Sequence, residues 1–140
     1  MARSDAVEQL RRVPLFAGLD RKDLETLSHF VREQGYEAGK TIVKQGDKGH
    51  GLYIIKEGKV SIRRGGKVIR QMGQGDFFGE IAILDEGPRT ADVVADSATV
   101  CLTLSSWETR PLLMQSAGMS YAMLQEVVRR LRDATPVETH

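Results

Sequence analysis

At 140 residues with 41% apolar composition, the chain has material for one domain built around a single core. Its charges nearly cancel, to +1, and no Lys/Arg cluster grows into a basic run, which speaks against a nucleic-acid binder. The single cysteine, Cys101, excludes an intrachain disulfide and a cysteine-held metal; with no signal-type h-region and no membrane-length apolar run, the expected address is the cytoplasm.

The first 33 residues read as helical. Val7 and Leu10 form a short apolar edge that Pro14 interrupts, and Asp20 offers an N-cap before Leu24, Leu27 and Val31. From 34 to 105 the pattern changes to short β-rich pieces: "TIV" at Thr41, "LYII" at Leu52, "VSI" at Val60, "KVIRQM" at Lys67, "ADVV" at Ala91 and "TVCLTL" at Thr99. Turn residues separate them, including Gly46–Asp47, Gly58, Gly65–Gly66 and Gly73, as in an antiparallel sandwich or barrel rather than a parallel sheet. Alternation of Val100, Leu102 and Leu104 predicts a strand with one face in the core. Residues 106–135 return to helix. Ser105 and Glu108 form a possible capping box, Pro111 predicts a kink or a very short helix, and Leu124, Val127, Val128 and Leu131 make an amphipathic stripe that Pro136 should end.

Few residues suggest chemistry. "QGYEAGKT" nearly spells a phosphate-binding loop, but Gln34 stands where its first glycine must be, and a strand-like "TIV" follows instead of a helix. The histidines, His29, His50 and His140, are scattered and never at metal-ligand spacing, and His50 reads as a solvated turn residue. No serine or cysteine sits in a nucleophile signature. No metal, cofactor or catalysis is expected.

"GDFFGEIAILDEGPRTADV" is different. Gly79 stands at the entrance to a short helix predicted over 80–84, whose first N–H groups would lie unpaired and favour an anion. Glu80 could accept a hydroxyl there. Arg89, after the Gly87–Pro88 turn, could bring its fork of donors to a phosphate, with the Thr90 hydroxyl beside it. A phosphate next to a sugar hydroxyl would satisfy all of these; a Glu80–Arg89 ion pair stapling a loop fits the spacing equally well.

"FGEIAIL" followed by "PRTADV" resembles the phosphate-binding cassette (78–91) of cyclic nucleotide-binding domains, found in cyclic-nucleotide-regulated kinases and channels and in the catabolite activator protein family. "VPLFAGLDRKDLETLSHF" is similar to the family's N-terminal helical segment, "GDKGHGLYIIKEGKVSI" to its strand–Gly–strand signature, and "VVRRLRD" to its C-terminal helix. The resemblance thus covers nearly the whole chain. It implies an α+β domain over 1–140, an antiparallel β-roll or jelly-roll barrel of about eight strands flanked by N-terminal helices and a C-terminal lid helix.

It also implies site roles. Glu80 would accept from the ribose 2′-hydroxyl, Arg89 would pair with the cyclic phosphate, and backbone N–H groups around Gly79, Ile81, Ala82 and Thr90 would complete the cradle. Ile62 and Met72 match strand positions lining the purine, and Val128, Leu131 and Arg132 would cover the base. Thr90 and Arg70 match positions that read guanine in cGMP-dependent kinases, while bacterial members mostly respond to cAMP; the balance leans slightly to cAMP. The implied protein is a non-catalytic sensor of cAMP or cGMP that signals through its C-terminal helix, to a homodimer partner or an effector protein. No helix-turn-helix, kinase or pore segment is present up to His140. The chain is therefore expected to be a free-standing sensor or an excised part of a larger regulator; an interaction module with a vestigial cassette is the other alternative.

Overall fold

A computed structural model describes residues 3–79, 83–85 and 87–134. They fall into two compact units, one formed by the two ends of the chain, up to His29 and from Pro111, the other by Phe30–Arg110.

The terminal unit is helical. It contains α1 (Arg3–Arg11), a 3₁₀ turn (Pro14–Phe16), α2 (Arg21–Ser28) and α4 (Ala117–Ala134); α3 (Ser106–Gln115) starts in the central unit and ends here. Pro14 opens the 3₁₀ turn, where its missing N–H costs nothing. Asp20 caps α2 by accepting from the Asp23 N–H at 2.9 Å, as its place in the sequence predicts. The helix ends at Ser28, so only Leu24 and Leu27 of the expected stripe are buried on it. Ser116 caps α4, its hydroxyl accepting from the Met119 N–H at 3.1 Å. The buried positions of α4 are Met119, Met123 and Glu126. Ala122 lies so near the 3₁₀ turn that a Cβ on Gly18 would stand 3.3 Å from its own. The stripe read from the sequence is the other face, with Leu124, Val128 and Leu131 all exposed.

The central unit holds eight antiparallel strands in two four-stranded sheets. β1 (Arg32–Tyr36), β8 (Thr99–Ser105), β3 (Gly51–Glu57) and β6 (Phe77–Phe78) form one in that order; β2 (Thr41–Val43), β7 (Asp92–Ala95), β4 (Val60–Arg64) and β5 (Lys67–Met72) form the other. This is the expected roll in strand number and direction, but two jelly-roll-like sheets and not a closed barrel. Ile55, Val60, Met72, Phe78, Val93 and Cys101 make a core cluster, with Tyr36, Ile42, Val43, Tyr53 and Ile62 packed on it. β8 buries Cys101 as well as Leu102 and Leu104, so its middle is covered on both faces; it is an interior strand, flanked by β1 and β3. Burial pushes the Cys101 thiol up to about 11, leaving it a small apolar residue.

Ser105 and Glu108 meet at the start of α3, forming half of the expected capping box and a side-chain bond in place of the other half. The Ser105 hydroxyl donates to Glu108 at 2.6 Å while the Glu108 N–H reaches back to Ser105 at 3.4 Å. Arg32 of β1 clasps the same carboxylate with both terminal nitrogens. α3 continues through Pro111 to Gln115 instead of stopping. Proline there forfeits one intrahelical bond in the middle of the helix, yet the helix runs on past it.

The Arg32 guanidinium and the Ser105 hydroxyl hold the Glu108 carboxyl down at about 2, against an ordinary 4.5. A depressed carboxylate stabilises the fold above its unfolded value and loses that contribution as pH falls. Glu108→Gln should therefore destabilise the protein at neutral pH by no more than about 1 kcal/mol, because the pair is solvent-facing. Denaturant titrations should show the gap between the two proteins closing between pH 4.5 and pH 2. A gap that stays constant over that range would show that the pair does not act through the carboxylate charge.

Candidate functional site

The site grows from two backbone segments laced together. The Arg89 N–H donates to the Asp47 carbonyl at 2.7 Å, the Gly46 N–H to the Arg89 carbonyl at 2.9 Å, and the Gly49 N–H to the Gly87 carbonyl at 3.1 Å. The turn before β3 thereby fixes the Arg89 backbone. An Asp85 carboxylate accepting from the Gly87 N–H at 3.0 Å shapes the approach to Pro88.

The Arg89 side chain is half-buried. One terminal nitrogen donates to the Gly51 carbonyl at 3.1 Å, and the guanidinium carbon stands 5.9 Å from the centre of the Tyr53 ring. No described carboxylate pairs with it. Burial pushes its pKa down from the ordinary value, with the Tyr53 phenol opposing that shift. Burial likewise raises Tyr53, with Arg89 opposing. Among the described residues this desolvated cation is held by one carbonyl and one ring face, which leaves most of its five donors unpaired.

Glycine is required where the chain passes this side chain. Gly79 has φ +78°, and a Cβ there would lie 2.4 Å from an Arg89 nitrogen and 2.6 Å from the Gly51 oxygen. Gly51 itself runs so close to β8 that a Cβ would sit 2.2 Å from the Leu104 carbonyl. Tyr53 stacks on Phe78, its cross-strand partner in β6, with ring centres 4.9 Å apart and planes within 4°.

A cleft of about 430 Å³ opens at Arg89, lined by Thr41, Ile42, Val43, Lys44, Asp47, Lys48, His50 and Tyr53. Its size suits a small ligand. Its walls are apolar along β2 and basic at the turn. Among the described residues no cluster of three His, Cys, Asp or Glu could hold a metal, and no helix is long and apolar enough to cross a membrane.

The sequence-predicted residues distribute unevenly. Arg89 and Gly79 meet. Thr90 is exposed, with its carbonyl taking a bond from Arg64 at 3.1 Å. Glu80, Ile81 and Ala82, and with them most of the expected 80–84 helix, lie outside the described residues. Ile62 and Arg70 face each other across β4 and β5, beside the Val60–Met72 pair. Met72 is buried in the core cluster, Ile62 is packed against it, and Arg70 is exposed; none of the three lines the Arg89 cleft. Val128, Leu131 and Arg132 lie exposed on α4, in the other unit. Sequence reasoning missed Gly51 and Tyr53, which strand pairing alone brings to Arg89. It also read His50 as a solvated turn residue. The residue is indeed exposed, but its carbonyl accepts from the Ser106 N–H at 2.7 Å and its ring stands edge-on to Trp107.

The comparisons point one way. The sequence model of the cyclic nucleotide-binding domain matches residues 33–116. The cyclic AMP receptor protein of Thermus thermophilus is 34% identical over 86% of this chain and 58% of its own length. A cGMP-dependent protein kinase of Toxoplasma gondii is 37% identical over 68% of this chain and 10% of its own. A cAMP-dependent protein kinase regulatory subunit of Colletotrichum orbiculare is 36% identical over 79% and 29%. The chain thus spans less than two thirds of these curated relatives. Among solved structures, the N-terminal domain of a transcriptional regulator from Streptomyces coelicolor superposes with a TM-score of 0.83 at 32% identity, over 94% of this chain and 98% of that one. With the family model covering more than half of its length, this chain belongs to the cyclic nucleotide-binding domain family.

Proposed function

We propose that the domain binds a cyclic nucleotide at the Arg89 cleft and acts as a non-catalytic sensor. The observation that carries this reading is the half-buried Arg89 guanidinium, held by a neutral carbonyl and a ring and without a described carboxylate partner. Desolvating a cation costs stability unless a counter-charge arrives, and a cyclic phosphate is such a charge. In this reading Glu80 takes the ribose 2′-hydroxyl, and N–H groups of Gly79, Ile81, Ala82 and Thr90 complete the phosphate cradle. Ile62, Met72 and Arg70 serve the purine; Val128, Leu131 and Arg132 serve as a lid. The preferred purine is adenine, since the relative matched over 86% of this chain is named a cyclic AMP receptor protein; cGMP is the competitor to test.

Signalling is proposed to run through the C-terminal helices as a population shift, the ligand binding one arrangement better than the other. Support comes from a short route inside the central unit. Arg89 bonds to Gly51, and the neighbouring His50 carbonyl bonds to Ser106 at the start of α3. A phosphate that competes for the guanidinium would relax its grip on Gly51 and be felt at that helix start.

Arg89→Ala should weaken cAMP and cGMP binding by on the order of 2–4 kcal/mol, or roughly 30- to 1000-fold. The ligand-free variant should lose little thermal stability, because a desolvated cation without a described counter-charge contributes little to the fold. Calorimetry showing unchanged affinity would remove Arg89 from the site, and a large loss of apo stability would make it a structural residue.

A thermal-shift titration with cAMP, cGMP and a linear nucleotide tests the function as a whole. At 100 times its dissociation constant, the true ligand should stabilise by roughly 2.7 kcal/mol. No shift with either cyclic nucleotide would favour a vestigial cassette. Thr90→Ala should weaken cGMP more than cAMP, and equal losses would remove Thr90 as a discriminator.

Trp107 is the only tryptophan and stands 6.1 Å from His50, ring centre to ring centre. Its emission should change on nucleotide addition, with the midpoint found by calorimetry. Constant emission at saturation would rule out the route through His50 and Ser106.

A further inference from the structure

Tyr53 belongs to no sequence signature of the cassette, yet it meets Arg89, Phe78 and the cleft. Its ring lies beneath the guanidinium at 5.9 Å, stacks on Phe78 at 4.9 Å, and walls the 430 Å³ cleft. It also lines a second, smaller cleft of about 180 Å³ on the side of Arg32 and Trp107. Phe78 precedes Gly79 in the chain, so the stack also places the glycine that Arg89 nearly touches.

We infer that Tyr53 is a positioning residue of the anion site: its ring, braced by Phe78, holds the Arg89 guanidinium against the Gly51 carbonyl with its other donors free. Arginine carries several rotatable bonds, and without a described carboxylate partner only two contacts hold this one. Removing the ring leaves a single neutral hydrogen bond, and the side chain becomes free to turn into solvent. A ring face suits this task better than a carboxylate. It attracts the cation through its quadrupole, carries no net charge, and so does not repel an incoming phosphate. The hydroxyl is not needed for this, which separates Tyr53→Phe from Tyr53→Leu.

The inference rests on the proposed cyclic-nucleotide function for its affinity readout only. Calorimetry with cAMP should show Tyr53→Phe within about 2-fold of the parent, and Tyr53→Leu weaker by roughly 3- to 30-fold. If Tyr53 acts through Arg89, Tyr53→Leu should cost less than about 2-fold once Arg89 is alanine, measured by competition up to millimolar nucleotide. A loss of the same size in both backgrounds would make Tyr53 a merely structural residue and overturn the inference. Nuclear magnetic resonance of the Arg89 side-chain N–H in the ligand-free protein gives a second reading. That proton should be shifted upfield by the ring in the parent and in Tyr53→Phe, and return to an ordinary position in Tyr53→Leu. An identical signal in all three would refute the inference. Should the parent bind neither cyclic nucleotide, the functional reading fails, while the side-chain signal still decides whether Tyr53 holds Arg89. If Tyr53→Leu does not fold, Tyr53→Met removes the ring at similar volume and is read in the same way.

Discussion

The arrangement around Arg89 answers one constraint: a cation taken partly out of water must be held without being neutralised. A carboxylate partner would hold it more firmly and would also occupy the donors and repel a second anion. The Gly51 carbonyl and the Tyr53 ring avoid both consequences. What they leave is a guanidinium whose basicity burial lowers and which no described carboxylate neutralises. The two glycines follow from the same constraint. Gly79 must take a positive φ against the guanidinium, and Gly51 must pass close to β8 so that its carbonyl can face the site.

The β-framework converts distant segments into that arrangement. Pairing of β3 with β6 sets Tyr53 opposite Phe78, and pairing of β3 with β8 sets it opposite Thr103. The backbone ladder between 46–49 and 87–89 carries the Arg89 Cα to the same corner. Since Gly51 and His50 are adjacent, the cation and the first turn of α3 are tied to consecutive carbonyls. The Arg89 contact and the start of α3 therefore share one strand end.

Much of the fold was legible because it is written locally. β2, β3, β4, β5, β7 and β8 each announce themselves by apolar residues between turn residues, and Asp20 and Ser105 mark helix starts by their own side chains. β1 was not legible. "REQGY" is exposed along nearly its whole length and has no apolar face; it is a strand because β8 supplies its hydrogen bonds. β6 is two residues long, too short to show a period. At the site, Arg89 was legible from its motif and Tyr53 was not. In "LYII" it reads like any half-buried strand aromatic, and only the closure of two sheets reveals that a cation lies over it. The α4 stripe shows a limit of a different kind. Its periodicity was visible, but periodicity does not say which face is covered, and here Met119 and Met123 are inside while Leu124 and Val128 are outside.

Desolvation also explains why the choice of purine is harder to read than the anion end. Interactions of an exposed charge are worth about 0–1 kcal/mol, whereas charged contacts in a desolvated site are worth several times that. Arg89 is of the second kind and Arg70, exposed on the edge strand β5, is of the first. If the ligand is the cyclic nucleotide proposed above, most of its affinity comes from the phosphate and sugar that cAMP and cGMP have in common. Discrimination between them then rests on contacts that individually shift binding by a few fold, and single residues such as Arg70 or Thr90 tune a preference more than they impose one. A sequence motif records the strong, shared contact faithfully because nothing else can replace it. It records the weak, selective contacts poorly because many side chains can supply them.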